Sequence, residues 1–430
     1  MVNKSIALHN KVLKGTITVP GDKSVSHRSI MFGSIARGIT TVSGFLPGED
    51  CLRTIEAFKQ LGVNIEQNGS NIRIESDGMD AWKEPEDILY MGNSGTTTRL
   101  MLGLLAGSKV HAVLSGDASI AKRPMKRVIL PLRDMKAHIT GRQDGQFAPL
   151  AVKGSELQAI DYTMPVASAQ VKSAILLAAL NANGTTVVRE QHATRNHTEL
   201  MMKQFGVNID VADLVISLQG GQKLTSCHVE VPGDLSSAAF FLVATAIAKN
   251  SEVVLENVGL NSTRTGILDV LQAMNADMTI EPYESDAVEK AGKITIRSSS
   301  LQGTVIGGDI IPRLIDEIPI IALLATQAHG TTIIKDAEEL KVKETNRIDA
   351  VVDELKKLGA TITATEDGMI IEGPTTLTGA ALRTYGDHRI GMMNVIASLV
   401  TTGTIVIDDA DCIAVSYPTF FEDIAILTTK

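Results

Sequence analysis

The tetrapeptide Val-Pro-Gly-Asp occurs twice, at residues 19–22 and 231–234, and around it a longer pattern returns along the chain. The pattern is a helical run, then a Leu, Met or Phe, often a Gly and a small residue, then a strand. It reads FKQLGVNI from Phe58, LRDMKAHI from Leu132, KQFGVNI from Lys203, LQAMNADM from Leu271 and KKLGATI from Lys356. Successive copies lie about 70 to 85 residues apart. That is too long for a solenoid repeat and suits a helix packed on several strands. The helical runs, such as CLRTIEAFKQ and TNRIDAVVDELKK, place apolar residues three and four apart, whereas NIRIES, LVISLQ, ITIRS and MIIEG are short β-branched runs between turn residues. A sixth helix, near residues 418–427, has no strand after it, so the N-terminal strand at about 5–19 is expected to complete that unit. Six units and two VPGD copies predict an α/β (α+β) chain in two globular halves of three units each. One half spans 20–230; the other combines 1–19 with 231–430. Chance recurrence would explain four letters alone, but periodic units on both sides favour a structural role.

Of the 430 residues, 44% are apolar and 21% charged, an ordinary balance for a globular chain in which no apolar run reaches membrane-spanning length. The N-terminus lacks the apolar core of a signal peptide, so a cytoplasmic location is expected. Cys51, Cys227 and Cys412 lie far apart without CxxC or Cys/His spacing, which supports neither a disulfide framework nor a zinc site. A net charge of −9 with one Trp, five Tyr and nine Phe argues against a nucleic-acid partner. On so acidic a background, local groups of Lys and Arg are the informative features.

Those groups sit at helix starts. In VPGDKSVSHRS, Ser24 is placed to cap a helix that carries Arg28 one turn on, with Lys23 at the same end; GNSGTTTRL sets Asn93, Ser94 and Gly95 before a helix with Arg99. SAQVKSAILLAAL starts at Ser168, and GDHRIGMM starts near Asp387 with Arg389 in its first turn. Unpaired backbone N–H groups and the positive dipole end make such starts seats for phosphate or carboxylate. Ordinary capping explains any one of them; their number, each with a cation nearby, favours anion binding. GDKS is not a nucleotide-hydrolase phosphate loop, because Asp22 separates Gly21 from Lys23, and no GxGxxG follows a strand. LKVKETNRIDAVVDEL from Leu340 is expected to set Lys343 and Arg347 on one helix face with Glu344 between them. IPRLIDEIPIIALLA places Asp316 and Glu317 before an apolar helix, as first-turn carboxylates or as a general base.

Taken together, PGDKSVSHR, GNSGTTTR, RPM at Arg123, SAQ at Ser168, VKETNR at Val342 and GDHR at Gly386 resemble the signature segments of the 5-enolpyruvylshikimate-3-phosphate synthase family, in its order and across nearly the whole chain. The resemblance implies two inside-out domains of three βαβαββ units joined by a double-crossover hinge, which closes to assemble groups from both halves. It implies transfer of the enolpyruvyl group of phosphoenolpyruvate to the 5-hydroxyl of shikimate 3-phosphate, with release of phosphate. Neither a metal nor an organic cofactor is implied; the partners are these two small molecules, the chain is expected to act as a monomer, and glyphosate is the family's inhibitor.

By the same resemblance, Ser24 and Arg28 hold the shikimate ring and carboxylate, and Ser168, Ala169 through its backbone and Arg195 hold its phosphate. Gln170 lies between the two substrates. Lys23, Asn93, Gly95, Arg123, Arg347 and Arg389 surround phosphoenolpyruvate. Asp316 takes the 5-hydroxyl proton, while Lys343 and Glu344 handle protons at the methylene and the departing phosphate. Asp316, Lys343 and Lys23 also touch shikimate 3-phosphate. The chemistry needs such a set, since like charges a few Å apart repel by about 4 kcal/mol per pair at an effective dielectric near 20. The chain departs from many members at Val415, where a lysine is usual, and SAQ with Arg195 resembles the family's second, bacterial class. Two other readings compete: an enolpyruvyl transferase acting on UDP-N-acetylglucosamine, whose usual cysteine is missing from SGDASIAKRPM, and a non-catalytic anion-binding scaffold.

Overall fold

The computed structural model describes residues 3–285 and 287–428. The chain divides into two compact units, Gly21–Val231 and Met1–Pro20 with Pro232–Lys430, each with its own apolar core.

The five repeats owe their shape to one turn. Each outer helix ends with a left-handed residue, at Gly62, Lys136, Gly206, Asn275 and Gly359. In the first, the Gly62 N–H donates to the Lys59 carbonyl and the Val63 N–H to the Phe58 carbonyl; the other four copies repeat this pair of bonds. This is the Schellman end, which satisfies carbonyls the helix leaves open and sends the chain back as a strand. Positive φ explains why Gly and Asn dominate the position.

Five four-stranded sheets share one plan: a strand parallel to the second, which is antiparallel to the third, which is antiparallel to the fourth. Their strands alternate buried and exposed residues, as Asn71–Asp77 does, so one face meets the core and the other meets water. The inside is helical. In the unit Gly21–Val231 the helices Lys23–Ile35 (α1), Gly95–Ala106 (α2) and Ala169–Ala179 (α3) are buried on nearly every side. In the other unit, Leu235–Ile247 (α4), Ile318–Thr326 (α5) and His388–Ala397 (α6) are equally enclosed. Helices buried all round belong in a core, and with sheets outside them both units are inside-out α/β structures.

The expected N-terminal strand proves to be two. Lys4–Ile6 pairs with Ile405–Ile407 in a sheet that has three strands among the described residues. Lys14–Thr18 instead runs parallel to Glu252–Gly259 in a different sheet. The two have different partners because the chain turns between them, where the Lys11 N–H donates to the Leu8 carbonyl and Asn10 is left-handed.

Each VPGD follows a strand of one unit and leads into a helix of the other. A Cβ at Gly21 would lie 1.9 Å from the Gly44 carbonyl oxygen, and one at Gly233 would lie 2.9 Å from that of Asn257, so no side chain fits either glycine. The Asp of each copy is the helix cap: Asp22 accepts from the Val25 N–H and Asp234 from the Ser236 N–H. Ser24 is therefore not the cap. The aspartate occupies that place, two residues earlier, and Lys23 opens α1.

Candidate functional site

In the unit Gly21–Val231, basic side chains gather at the N-terminal ends of α1, α2 and α3. Lys23 reaches Asp50, on the helix Glu49–Gln60, as an ion pair. Arg28, one turn on, is buried. It donates to the Thr198 hydroxyl at 2.7 Å, the Ser173 hydroxyl at 2.8 Å and the Ser24 carbonyl at 3.2 Å.

At the start of α2, Ser94 caps the Thr97 N–H. Arg99 donates to Gln170 Oε1 at 2.6 Å, and Gln170 returns a bond to Thr96 Oγ1 at 3.1 Å, tying α2 to α3. Arg123 donates to Asn93 Oδ1 at 2.7 Å. A Cβ added at Gly95 would stand 2.9 Å from Arg123 Nη1 and 3.1 Å from Arg99 Nη1. Two guanidinium groups thus converge on the first residue of a helix, where backbone N–H groups and the dipole already favour an anion. Ser168 is the buried N-cap of α3 and Ala169 its first residue. Arg195 lies half-buried in the loop before the helix His197–Gln204.

Beneath these cations lies His27, fully buried, which shares a hydrogen bond with Thr54 Oγ1 at 2.7 Å. Burial is the largest of the causes that push its pKa well below the ordinary 6.5, with the charges of Lys23 and Arg28 adding to it. A neutral imidazole leaves the cationic end of α1 without a further buried charge.

The other unit carries a charge-matched cluster at the starts of α5 and α6. Arg347, 1% exposed, donates to both oxygens of Asp387 at 2.8 and 3.3 Å, to Asp316 at 3.2 Å and to Glu344 at 2.6 Å. Burial works against its charge, but Asp387, Glu344 and Asp316 outweigh that and raise its pKa beyond the usual arginine range. Asp387 also caps α6 through the Arg389 N–H. Asp316 is flanked by Lys343 Nζ at 3.8 Å and Arg389 Nη2 at 4.0 Å as well. Burial lowers the pKa of Lys343; Asp316, Glu339 and Glu344 oppose that and Arg347 reinforces it.

Lys343 and Arg347 do not share a helix face. Lys343 ends the short turn Glu338–Val342 in an extended conformation, and Arg347 begins the helix Arg347–Lys357 behind the Asn346 cap. The two meet at Asp316 because the intervening residues form a bend, which helical spacing does not describe. Val415 is half-buried at the end of the turn Asp411–Val415.

A family model described as EPSP synthase (3-phosphoshikimate 1-carboxyvinyltransferase) matches residues 9–424. The chain belongs to the EPSP synthase family. A 3-phosphoshikimate 1-carboxyvinyltransferase of Bacillus thuringiensis subsp. konkukian (strain 97-27) is 59% identical over 424 residues, 99% of either chain. That of Bacillus thuringiensis (strain Al Hakam) is 60% identical over 419 residues, 97% of this chain and 98% of its own. Among solved structures, EPSP synthase from Acinetobacter baumannii superposes with a TM-score of 0.88 at 45% identity, covering 99% of this chain and 98% of that one.

Several residues that shape this family member's site carry weak signals in its sequence. Asp50 and Thr198 are remote from the residues they hold, and Asp387 reads in the sequence as a cap alone although it also fixes Arg347. Glu317 contacts the Ser236 hydroxyl and lies 3.9 Å from Arg389; Arg264 donates to Ser236 Oγ at 2.5 Å and Asp234 Oδ1 at 3.0 Å. The second VPGD aspartate is thereby linked to the neighbourhood of Asp316. Among the described residues no group of three or more His, Cys, Asp or Glu is placed to hold a metal ion, and no helix is long and apolar enough to cross a membrane. Cys51 and Cys412 are buried and all three thiols are free of disulfides; burial pushes Cys227 up to about 11 and Cys412 to about 12.

Proposed function

We propose that this EPSP synthase family member transfers the enolpyruvyl group of phosphoenolpyruvate to the 5-hydroxyl of shikimate 3-phosphate. The cluster of Gly21–Val231 takes the anionic groups. Arg123 and the Gly95 helix start, fixed by Asn93 and Gln170, suit the phosphate or carboxylate of phosphoenolpyruvate, with Lys23 beside them in role. Ser24 and Arg28 take the shikimate ring and carboxylate, while Ser168, Ala169, Gln170 and Arg195 take its phosphate.

The observation that carries the reading is the setting of Asp316, a carboxylate within 4.0 Å of Arg347, Lys343 and Arg389. Three cations thus surround the one carboxylate that the reading makes the base. In the addition step Asp316 takes the 5-hydroxyl proton, the oxygen bonds to C2, and the methylene carbon gains a proton from the pair Lys343 and Glu344. In the elimination step the methyl group returns a proton to that pair, the C2–O bond to phosphate breaks, and inorganic phosphate leaves with the bonding electrons. A lowered pKa suits Lys343 to both directions of transfer, because a lysine nearer neutrality gives and takes a proton more readily. Arg347 and Arg389 supply the positive charge of this cluster.

Incubation with phosphoenolpyruvate and shikimate 3-phosphate should release phosphate, and Asp316→Asn should lower kcat by about a hundredfold or more. Release with UDP-N-acetylglucosamine in place of shikimate 3-phosphate would overturn the substrate assignment. Release with neither acceptor would leave only an anion-binding scaffold.

A further inference from the structure

One buried charge of the first unit lies outside all these roles. Lys172 stands on α3, two residues after Gln170, and is 1% exposed. An ammonium group has three N–H donors, and this one has three acceptors: Glu199 Oε1 at 2.7 Å, Glu190 Oε2 at 2.9 Å and the Thr194 carbonyl at 3.4 Å. Both carboxylates are themselves nearly buried, with side chains 5% and 6% exposed. Glu190 also accepts from the Thr194 N–H at 3.2 Å and from the Thr194 hydroxyl.

The acceptors bracket a single stretch. Glu190 follows the strand Thr185–Arg189, and Glu199 lies in the helix His197–Gln204, so the loop carrying Arg195 is closed at both ends on one ammonium. The adjacent residue on α3, Ser173, accepts from Thr198 and from Arg28 at 2.8 Å each. Local propensity does not account for a buried lysine here: α3 is otherwise mostly apolar at this depth, and desolvating a charge is unfavourable unless its partners compensate.

We infer that Lys172 is a positioning residue for shikimate 3-phosphate, acting through the loop 190–196 to hold Arg195 where it meets the phosphate. The inference rests on the assignment of Arg195 given above. Removing the ammonium leaves two buried carboxylates facing one another. Oε2 of Glu199 makes no hydrogen bond among the described residues, so the loop moves to hydrate them and takes Arg195 with it.

A double-mutant cycle tests this, with phosphate release read against each substrate in turn. Lys172→Met is expected to raise KM for shikimate 3-phosphate about tenfold, with a much smaller change in KM for phosphoenolpyruvate and in kcat. Arg195→Ala should do the same, and the double variant should be no worse than Arg195→Ala alone, because a residue that acts only through Arg195 has nothing left to position. Multiplying losses in the double variant would overturn the inference, as would equal rises in both KM values, which mark a general packing defect. Should Lys172→Met fail to fold, Thr194→Val removes one bond of the same clamp and must show the same selective rise; an unchanged KM there also overturns the inference. If Arg195→Ala leaves KM for shikimate 3-phosphate unchanged, it is the assignment of Arg195 that fails, and a selective effect of Lys172→Met would then exclude action through that arginine.

Discussion

The two units use one backbone device and decorate it differently. Each sets three buried helices side by side and caps the first with a VPGD aspartate, Asp22 or Asp234. In Gly21–Val231, Arg28, Arg99 and Arg123 donate to hydroxyls, amides and carbonyls, contacts that fix the direction of a guanidinium. In the other unit, Arg347 and Arg389 are oriented by carboxylates, and Asp316 is shared by three cations. On the roles proposed above, one set of helix starts receives anions and the other handles protons, on the same backbone device. Hydroxyl and amide acceptors orient a guanidinium, whereas the carboxylates around Arg347 also raise its pKa.

The largest expected difference follows from Lys23. Lys23→Ala should reduce kcat/KM about a thousandfold, as loss of a group that stabilises developing charge does. A near-normal value in steady-state phosphate release would break the view of the first cluster as the anion seat.

Stability should separate the clusters next. Arg347→Met strands Asp387, buried and dependent on it, and should cost about 3–5 kcal/mol, the usual consequence of breaking a buried pair. Arg28→Met leaves two hydroxyls that can bond to one another, and should cost about 1–3 kcal/mol. Urea unfolding of the two variants side by side would decide; equal losses would erase the difference in stability between the two arginine sites.

A smaller effect is expected at Gly95→Ala. The new methyl would press on the ends of Arg123 and Arg99, which are flexible enough to yield, so the protein should fold normally. The displaced guanidinium groups should raise KM for phosphoenolpyruvate several-fold and leave that for shikimate 3-phosphate nearly as it was. Unchanged kinetics would place the phosphoenolpyruvate seat elsewhere.

The smallest effect concerns His27. Its folded pKa is depressed below 6.5, so as pH falls through that value the unfolded chain takes up a proton that the folded one refuses. Its contribution to stability is therefore complete above about pH 6.5 and is lost progressively on acidification toward the folded value. His27→Asn should flatten that part of the stability profile in thermal melts between about pH 5 and 7. A parallel profile for both proteins would show that the imidazole is not the group responsible.

Much of the architecture is legible in the chain itself. Helix period, strand alternation and the Leu-Gly or Met-Asn punctuation are local properties, and the Schellman turns at Gly62 and Asn275 translate them directly into geometry. The N-terminal stretch escapes a local reading for the complementary reason. Which sheet a strand joins depends on partners more than 200 residues away, as with Lys14–Thr18 and Glu252–Gly259. The bend that separates Lys343 from Arg347 likewise reflects packing about Asp316, where a helical spacing rule sees only a four-residue interval.

By itself the sequence determined which residues are charged and where the five outer helices turn back into strands, because such turns act within a few residues. Only the tertiary structure decided what holds each functional side chain. Arg28 meets Ser173 and Thr198 across 145 and 170 residues of chain, and Arg347 meets Asp387 across 40. Lys172 is the sharpest case. Its three acceptors come from a loop and a helix that local sequence does not pair with it, and a buried ammonium is stable only once folding has brought them within reach.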